Sequence, residues 1–331
     1  MDVDTKTVSQ IKCPTASATI LDYDGSVVVA LGSSFSSRPN AYVAVIDGKN
    51  TAPHWTKLNT EVAEPVTVTT ADVPTTDGTI VRTMLVSPVG REKHADACFI
   101  VIHGGPHSMD ANSFSSDISK FAKLGFKSLV INYRGSSGFN ESFLNSLPGQ
   151  VGEVDVKDCI TAVDYYLDRC VIDKTRLILY GASHGGFLAA HLSGQYPGFN
   201  WLAVVMHNPV VDLYTLIEVS DIPDWSSVEA FGSNHKYGER KKIKDDDVIA
   251  MLSKSPFKWI DKVRAPTLMM LGNEDKRVHK SQGHQWYRGL LARGVEAVCY
   301  VYPQGHNFDR VDYHRDEFVN GMVFVLSRLR R

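Results

Sequence analysis

The sequence predicts an α/β fold with a mostly parallel sheet covered by helices on both sides. From residue 79 onward, short and nearly continuous apolar runs are spaced along the chain, and strands buried on both faces of a parallel sheet have this composition. Amphipathic stretches with helical spacing lie between the runs, and strands that alternate with helices form doubly wound sheets. A chain of 331 residues suffices for one large domain of this class and a smaller segment beside it.

The predicted elements follow one another in the order that this fold class requires. A helix over Asp155 to Asp168 is the clearest, because Val156, Ile160 and Val163 fall on one helical face. Further helices are predicted over Ser113 to Leu124, Lys280 to Arg293 and Arg315 to Leu329. Strands are predicted at Thr79 to Ser87, Cys98 to His103, Ser128 to Asn132, Arg176 to Tyr180, Leu202 to Met206, Thr267 to Leu271 and Ala297 to Tyr302.

Residues 1–70 have the pattern of short antiparallel strands. Apolar runs at Ala18 to Asp22 and Ser26 to Leu31 flank Tyr23-Asp24-Gly25, which predicts a hairpin, and a third run follows at Ala41 to Ile46. Part of a β-propeller blade has this pattern, but a propeller needs at least about four blades of about 40–50 residues each. We therefore expect residues 1–70 to resemble the end of a propeller and residues 71–331 to form the α/β domain.

The amino-acid composition indicates which kinds of binding partner and which cellular compartment to expect. With 35 basic and 37 acidic residues, the net charge is −2, so electrostatics gives no reason to expect nucleic acid or an anionic membrane as a partner. The five cysteines include no Cys-x-x-Cys pair, which favours free thiols in a reducing compartment over disulfides or a zinc site. The N-terminus has no apolar signal segment, and no run of about 18 apolar residues occurs. We expect a cytoplasmic protein.

The most informative motif is Gly181-Ala-Ser-His-Gly, which follows a predicted strand directly and precedes a helix-like stretch. A serine on such a strand-to-helix turn stands exposed above the sheet, because the flanking glycines lack the Cβ atoms that would collide there. Ser183 is therefore the candidate nucleophile.

Two later residues are candidates for the acid and the base that activate this serine. A serine hydroxyl is a weak nucleophile unless a base takes its proton. In the α/β-hydrolase fold, the acid and then the histidine follow the serine, each after a later strand. Asp275 follows the next-to-last predicted strand and His306 follows the last, which predicts His306 as general base and Asp275 as the acid that orients it. Glu274 is the competing acid, and Asp309 and Asp312 are less favoured because they follow His306 closely.

A glycine-rich loop is the candidate for half of the oxyanion hole. Acyl transfer builds an oxyanion that needs preorganised N–H donors, one from the residue after the nucleophile, here His184, and one from a loop after an earlier strand. Gly104-Gly105 fits this loop, with a plain Gly-Gly-Pro turn as the alternative. No metal or cofactor is implied, because the histidines near these motifs have no metal-ligand spacing: His103, His107, His184 and His191.

The motifs that contain these residues resemble the prolyl oligopeptidase family of serine peptidases. The likeness is carried by His103-Gly-Gly-Pro-His-Ser, Asn132-Tyr-Arg-Gly-Ser-Ser-Gly-Phe, Gly181-Ala-Ser-His-Gly-Gly-Phe and Gly272-Asn-Glu-Asp-Lys-Arg-Val. Within that family, the acylaminoacyl-peptidases are resembled by Ser146-Leu-Pro-Gly-Gln-Val-Gly, Gly194-Gln-Tyr-Pro, His207-Asn-Pro-Val and Ser220-Asp-Ile-Pro-Asp-Trp. The likeness runs from residue 98 to the C-terminus, and residues 16–46 resemble the last propeller strands of these enzymes.

The resemblance implies an activity and roles for particular residues. The expected enzyme cleaves the first peptide bond of a short N-acylated peptide and releases the N-acyl amino acid, without a cofactor. The implied triad is Ser183, Asp275 and His306, and the implied oxyanion donors are the N–H groups of Gly105 and His184. Residues Ser220 to Phe231 are expected to wall the pocket for the acylated residue. The candidates for its apolar lining, with core packing as the alternative, are Val210, Trp225 and Phe231. Because members of the family often assemble, a homo-oligomer is a further expectation.

One departure from the family leaves other functions open. The family usually has a complete propeller before the hydrolase domain, whereas this chain has only residues 1–70 there, so we expect a C-terminal fragment, a shortened paralogue or an incomplete gene model. An uncovered triad would act as a general esterase, which is the alternative enzyme. A dipeptidyl-peptidase is less favoured, because it needs propeller carboxylates that recognise a free N-terminus. A catalytically silent binding or scaffold protein is the alternative outside the enzymes.

Overall fold

The computed structural model describes residues 12–46, 53–60, 63–90, 93–94, 96–232 and 243–329. In these ranges, twelve strands form two sheets. The smaller, antiparallel sheet consists of β1 (Ser17–Tyr23), β2 (Val27–Ser34), β3 (Ser37–Val45) and β4 (Thr56–Lys57). The larger sheet consists of β5 (Val66–Pro74), β6 (Ile80–Pro88), β7 (Cys98–Ile102), β8 (Lys127–Asn132), β9 (Leu177–Ala182), β10 (Ala203–His207), β11 (Thr267–Gly272) and β12 (Ala297–Tyr302).

The helices lie mostly between the strands of the larger sheet. The described ranges contain α1 (Ser116–Lys123), α2 (Glu141–Asn145), α3 (Val154–Asp168), α4 (His184–Gln195), α5 (Leu213–Val219), α6 (Pro223–Phe231), α7 (Asp245–Lys254), α8 (Ser281–Leu291) and α9 (Val311–Leu329).

The larger sheet is mostly parallel. In the order β12-β11-β10-β9-β7-β8-β6-β5, every neighbouring pair from β12 to β8 is parallel, and β6 and β5 add antiparallel strands at one edge. The chain passes from β7 to β8 on one side and then to β9 on the other side of β7. Loops that leave the carboxyl ends of β7 and β9 therefore diverge, and ligands bind at such switch points of α/β sheets.

Helices cover both faces of the larger sheet because the side chains of each buried strand alternate between the faces. In β7, Cys98, Ile100 and Ile102 join the main core with α3, α4 and α8. Phe99 points to a second core with α1 and α9, where its ring stacks on Phe121 with centroids 3.9 Å apart. The predicted doubly wound, mostly parallel α/β-hydrolase fold is confirmed.

The smaller sheet packs on the antiparallel edge of the larger one. Phe35 is buried there beside Met84 and Ile118, and its N–H group donates to Asn112 Oδ1 at 3.0 Å. The predicted hairpin, strands at residues 18–46 and antiparallel pairing are present. The division of the chain after residue 70 stays a prediction; this residue lies inside β5, which pairs with β6 along its whole length.

Helix α4 runs through the centre of the main core, and all of its residues from His184 to Gly194 are buried. Its first turn approaches β7 so closely that a Cβ atom at Gly185 would collide with the carbonyl oxygen of Ile102. A Cβ atom at Gly181 would in turn collide with the backbone of Gly185. Glycine at these two positions therefore sets how closely the helix can approach the sheet.

We expect Gly185→Ala to lower the free energy of unfolding by at least about 1–3 kcal/mol, because the added methyl group must displace backbone rather than a flexible side chain. Urea unfolding followed by circular dichroism measures this change. Gly198→Ala is the matched control, because a Cβ atom at Gly198 would meet no atom within 4 Å. Equal stability of the two variants would contradict the close approach of α4.

Candidate active site

The candidate residues meet at one edge of the larger sheet because the carboxyl ends of its parallel strands are aligned. Ile102 is the register partner of Gly181, His207 that of Met270, and Gly272 that of Tyr302. The loops that follow β7, β9, β11 and β12 therefore begin at the same level. They bring together Gly104 and Gly105, Ser183, Asp275, and His306.

Ser183 occupies a strained turn between β9 and α4. Its φ and ψ angles are 57° and −119°, a region that residues with a side chain rarely adopt. The turn is held by backbone hydrogen bonds: the Ser183 N–H donates to the carbonyl of His207 at 2.9 Å, and the Ser183 carbonyl accepts from the N–H of Phe187 at 3.0 Å. The serine side chain is thereby presented at the N-terminus of a buried helix, where the helix dipole favours negative charge.

Asp275 is buried and fixed by three hydrogen bonds. Its Oδ1 atom accepts the N–H groups of Arg277 and Val278 at 2.8 and 2.9 Å. Its Oδ2 atom lies 2.7 Å from His306 Nδ1. Because a carboxylate only accepts hydrogen bonds, Nδ1 of His306 carries the proton and Nε2 is left as the basic nitrogen.

The other acidic candidates do not reach His306. Glu274 and Asp309 are both exposed, whereas Asp275 is buried. Asp312 pairs with Arg310, whose guanidinium lies 2.7 Å from its carboxylate. Of these four carboxylates, the geometry places only Asp275 against the imidazole.

Asn208 links three strand ends. It belongs to the motif His207-Asn-Pro-Val, and the sequence alone predicts no role for it. Its Oδ1 atom accepts the N–H of Gly272 at 2.7 Å, its Nδ2 group donates to the His306 carbonyl at 3.0 Å, and its N–H donates to the Met270 carbonyl at 3.0 Å. It has a positive φ of 41°. Asn208 therefore fixes the loops of both the acid and the histidine. A polar residue directly after the strand β10 was the available signal.

The loop after β7 lies against the nucleophile. A Cβ atom at Gly104 would lie 3.1 Å from the Ala182 carbonyl oxygen and 3.4 Å from Ser183 Cβ, and Gly105 has a φ of 119° that favours glycine. The His103 ring anchors the loop, with Nδ1 2.8 Å from the Gly104 carbonyl and Nε2 2.8 Å from Ser136 Oγ. Burial lowers the pKa of His103 to about 4, so this ring is neutral at physiological pH.

His184 turns its side chain away from the nucleophile. The imidazole is buried, and its Nε2 atom lies 3.1 Å from Asp155 Oδ2 on α3. The imidazole of His184 therefore belongs to the core beside α3. The role of the Gly105 and His184 N–H groups as oxyanion donors stays a prediction.

A pocket beside the candidate nucleophile is lined by Ser183, His306 and Gly105 and also by apolar side chains, which form its apolar wall. Val210 and Trp225, two of the predicted lining residues, belong to this wall. Sequence reasoning missed three further apolar members of the wall, which are Leu216, Ile222 and Val278. Arg277 also lines the pocket, and its Nε donates to Asp221 at 2.5 Å.

The third predicted lining residue, Phe231, lies outside this pocket and packs against the main core. The reason is helical geometry: Phe231 follows Trp225 by six positions on α6, which rotates its side chain about 240° around the helix axis. The segment Ser220 to Phe231 thus contributes its first half, and not its end, to the pocket wall.

Among the residues that the structure describes, no group of three or more histidine, cysteine, aspartate or glutamate side chains is arranged to hold a metal ion. In the same ranges, no helix is long and apolar enough to cross a membrane.

The strand order and the arrangement of serine, histidine and aspartate define an α/β-hydrolase with a candidate Ser-His-Asp triad. The sequence model of the prolyl oligopeptidase family matches residues 112–330, more than half of the chain, and the chain belongs to this family. A solved prolyl endopeptidase structure superposes with a TM-score of 0.84 at 19% identity, covering 99% of this chain and 48% of that one; this likeness concerns the fold.

Two curated relatives are more similar in sequence. The acylamino-acid-releasing enzyme of Arabidopsis thaliana is 41% identical over 230 residues, which are 69% of this chain and 30% of that enzyme. The acylamino-acid-releasing enzyme of Sus scrofa is 36% identical over 326 residues, which are 94% of this chain and 44% of that enzyme. The chain therefore spans less than half the length of these relatives.

Replacing Asp275 by asparagine is expected to lower kcat by about 10⁴-fold, because the amide stabilises the wrong tautomer of His306. The two backbone N–H groups keep an oxygen acceptor, so the fold should be retained. Steady-state kinetics with an activated ester measures the loss. Glu274→Gln removes the neighbouring exposed carboxylate as a control and should leave kcat unchanged. Comparable losses in both variants would show that Asp275 is not the acid.

Proposed function

We propose that this protein is a serine peptidase that hydrolyses the first peptide bond of a short N-acylated peptide and releases the N-acyl amino acid. The proposal rests chiefly on the Asp275–His306 hydrogen bond beside Ser183 in one pocket. The relationship to acylamino-acid-releasing enzymes supports the class of substrate.

In the proposed mechanism, His306 Nε2 takes the proton of the Ser183 hydroxyl as its oxygen attacks the carbonyl carbon of the scissile bond. The resulting oxyanion is bound by the N–H groups of Gly105 and His184. His306 then protonates the leaving amine, and an acyl-enzyme remains on Ser183. A water molecule, deprotonated by His306, hydrolyses this ester and releases the N-acyl amino acid. Asp275 orients the ring throughout and stabilises its charged form.

The side chain of the acylated residue is proposed to occupy the apolar wall of the pocket. Val210, Leu216 and Trp225 belong to this wall, and Gly105 lines the same pocket. Burial of apolar surface there would hold the carbonyl carbon over Ser183. The substrate is therefore expected to carry an uncharged side chain at its first residue.

A cytoplasmic location and assembly into a homo-oligomer belong to the same proposal. The exposed free thiols of Cys13 and Cys170 are typical of a protein in a reducing compartment. Oligomer formation is supported by the family relationship alone. Neither nucleic acid nor a membrane is proposed as a partner.

The substrate class is tested with three chromogenic substrates: an N-acetyl-alanyl anilide, a free alanyl anilide and a short-chain ester. The proposal predicts turnover of the acetylated anilide and a preference for it over the free one. Ser183→Ala should lower kcat by about 10⁶-fold, because the nucleophile is lost. Turnover of the ester alone would favour a general esterase. Equal rates of the wild type and Ser183→Ala would exclude every hydrolase function.

The pocket assignment is tested by two changes on the same helix. Trp225→Ala is expected to lower kcat/KM for an N-acetyl-phenylalanyl anilide at least about tenfold relative to the alanyl substrate, because a wall of the pocket is removed. Phe231→Ala should lower the melting temperature through lost core packing and leave the ratio between the two substrates unchanged. If the ratio of kcat/KM for the two substrates changed in Phe231→Ala but not in Trp225→Ala, the assignment of Trp225 to the substrate pocket would be wrong.

A further inference from the structure

His107 forms a bridge between the loop of Gly104 and Gly105, called here the oxyanion loop, and helix α6, which forms part of the pocket wall. It follows Gly105 by two residues, and its imidazole is half-buried. Its Nδ1 atom lies 2.9 Å from the carbonyl oxygen of Gly135, and its Nε2 atom lies 3.0 Å from Glu229 Oε1. Glu229 is on α6, and its side chain is fully buried.

The two contacts favour a charged ring. A carbonyl oxygen only accepts hydrogen bonds, so Nδ1 must donate to Gly135. An ionised Glu229 carboxylate also accepts hydrogen bonds only. Both acceptors therefore receive a hydrogen bond at the same time only when the ring carries a proton on Nδ1 and on Nε2. The hydrogen bond and the charge of Glu229 raise the pKa of His107 above its ordinary value, against the opposing effect of burial.

The bridge connects two parts of the pocket, helix α6 and the loop of Gly105, which a bound substrate would contact at the same time. Glu229 follows Trp225 by four positions, so both side chains lie on one face of α6, and Trp225 lines the pocket. The backbone at the end of α6 is fixed as well, because the Glu229 carbonyl accepts the N–H of Gly149 at 2.8 Å. At the other end of the bridge, Gly105 also lines the pocket.

We propose that His107 in its charged form is a positioning residue, which holds the oxyanion loop in place by its ion pair with Glu229 on the wall of the substrate pocket. The proposal rests on the proposed acyl-transfer function, since it concerns the placement of Gly105. It applies to amide and ester substrates alike, because both form an oxyanion.

Two further ionisable groups are coupled to the bridge, Tyr133 directly after β8 and Asp110 in the loop after β7. Tyr133 follows β8, and its hydroxyl donates to the His103 carbonyl at 2.8 Å. Burial first, and then the charges of neighbours that include Asp155, Asp110 and Glu229, raise the pKa of Tyr133 well above its ordinary value. Burial raises the pKa of Asp110 to about 6. Glu229 is the carboxylate that contacts the His107 ring.

The direction of the pH effect follows from the raised pKa of His107. The charged bridge is complete at pH values below the ordinary histidine range, and it is lost as the pH rises through the pKa of His107 in the folded protein. The proposal therefore predicts an alkaline fall in kcat. KM should change little, because oxyanion placement acts in the transition state.

The test compares the wild type with Glu229→Gln and His107→Gln between pH 6 and pH 9, with the short-chain ester as substrate. In Glu229→Gln, the pKa of His107 should fall, so the alkaline decrease of kcat should move to lower pH. In His107→Gln, kcat should be about tenfold lower at pH 6, the effect of one charge-assisted hydrogen bond, and the alkaline decrease should disappear.

His314→Gln is the matched control, because His314 Nε2 lies 3.5 Å from Asp117 on the opposite face of the sheet. The pH profile of kcat in this variant should equal that of the wild type.

A second measurement does not depend on a variant. Titration of the histidine ring resonances of the wild type by NMR should show a raised pKa for the resonance that is assigned to His107 by its absence in His107→Gln. An ordinary or lowered pKa of His107 would overturn the proposal. The proposal would also be overturned if kcat of Glu229→Gln had the same pH dependence as kcat of the wild type, even if it were lower by the same factor at every pH. Because the ester reports acyl transfer in general, a wild type without peptidase activity would refute the proposed substrate class and leave this test intact.

Discussion

The active-site edge depends on the close approach of one helix to the sheet. Gly185 lies against the carbonyl of Ile102, and Gly181 lies against Gly185, with no space for a side-chain atom in either contact. This approach leaves Ser183 on a turn with a positive φ directly above the switch point of the sheet. It also brings Gly104 within contact distance of Ser183. The positions of the candidate nucleophile and of the candidate oxyanion loop therefore have one common origin.

Backbone groups, rather than long side chains, position the acid and the base. Asp275 is held by two backbone N–H groups, and Asn208 connects the backbone of three strands. Such contacts lose little side-chain entropy and keep their geometry as long as the sheet is intact. The pocket wall is held by both kinds of contact. Glu229 on α6 pairs with His107 and its carbonyl accepts the N–H of Gly149, and Asp221, just before α6, pairs with Arg277.

Sequence patterns could predict the strand positions along the chain and the candidate triad because both depend on local signals. Each candidate catalytic residue follows an apolar strand, and the parallel register then brings the strand ends together. The same signals could not show that Asn208 joins three strands, since its partners are distant in the chain. They also could not show that Phe231 faces the core, because a short, buried helix such as α6 is apolar on several sides. The edge strand β5 was missed, because its exposed threonines give little hydrophobic signal.

Helix α4 is enclosed on every side, and this determines how its order can be lost. The helix has no face in contact with water from His184 to Gly194, so it cannot fray outward by itself. Its amide hydrogens should exchange with solvent only through global unfolding, whereas the short helices of the pocket wall can open locally. The serine would then keep its strained geometry up to the temperature at which the whole domain melts. Heating would consequently change substrate selection before it removes the nucleophile.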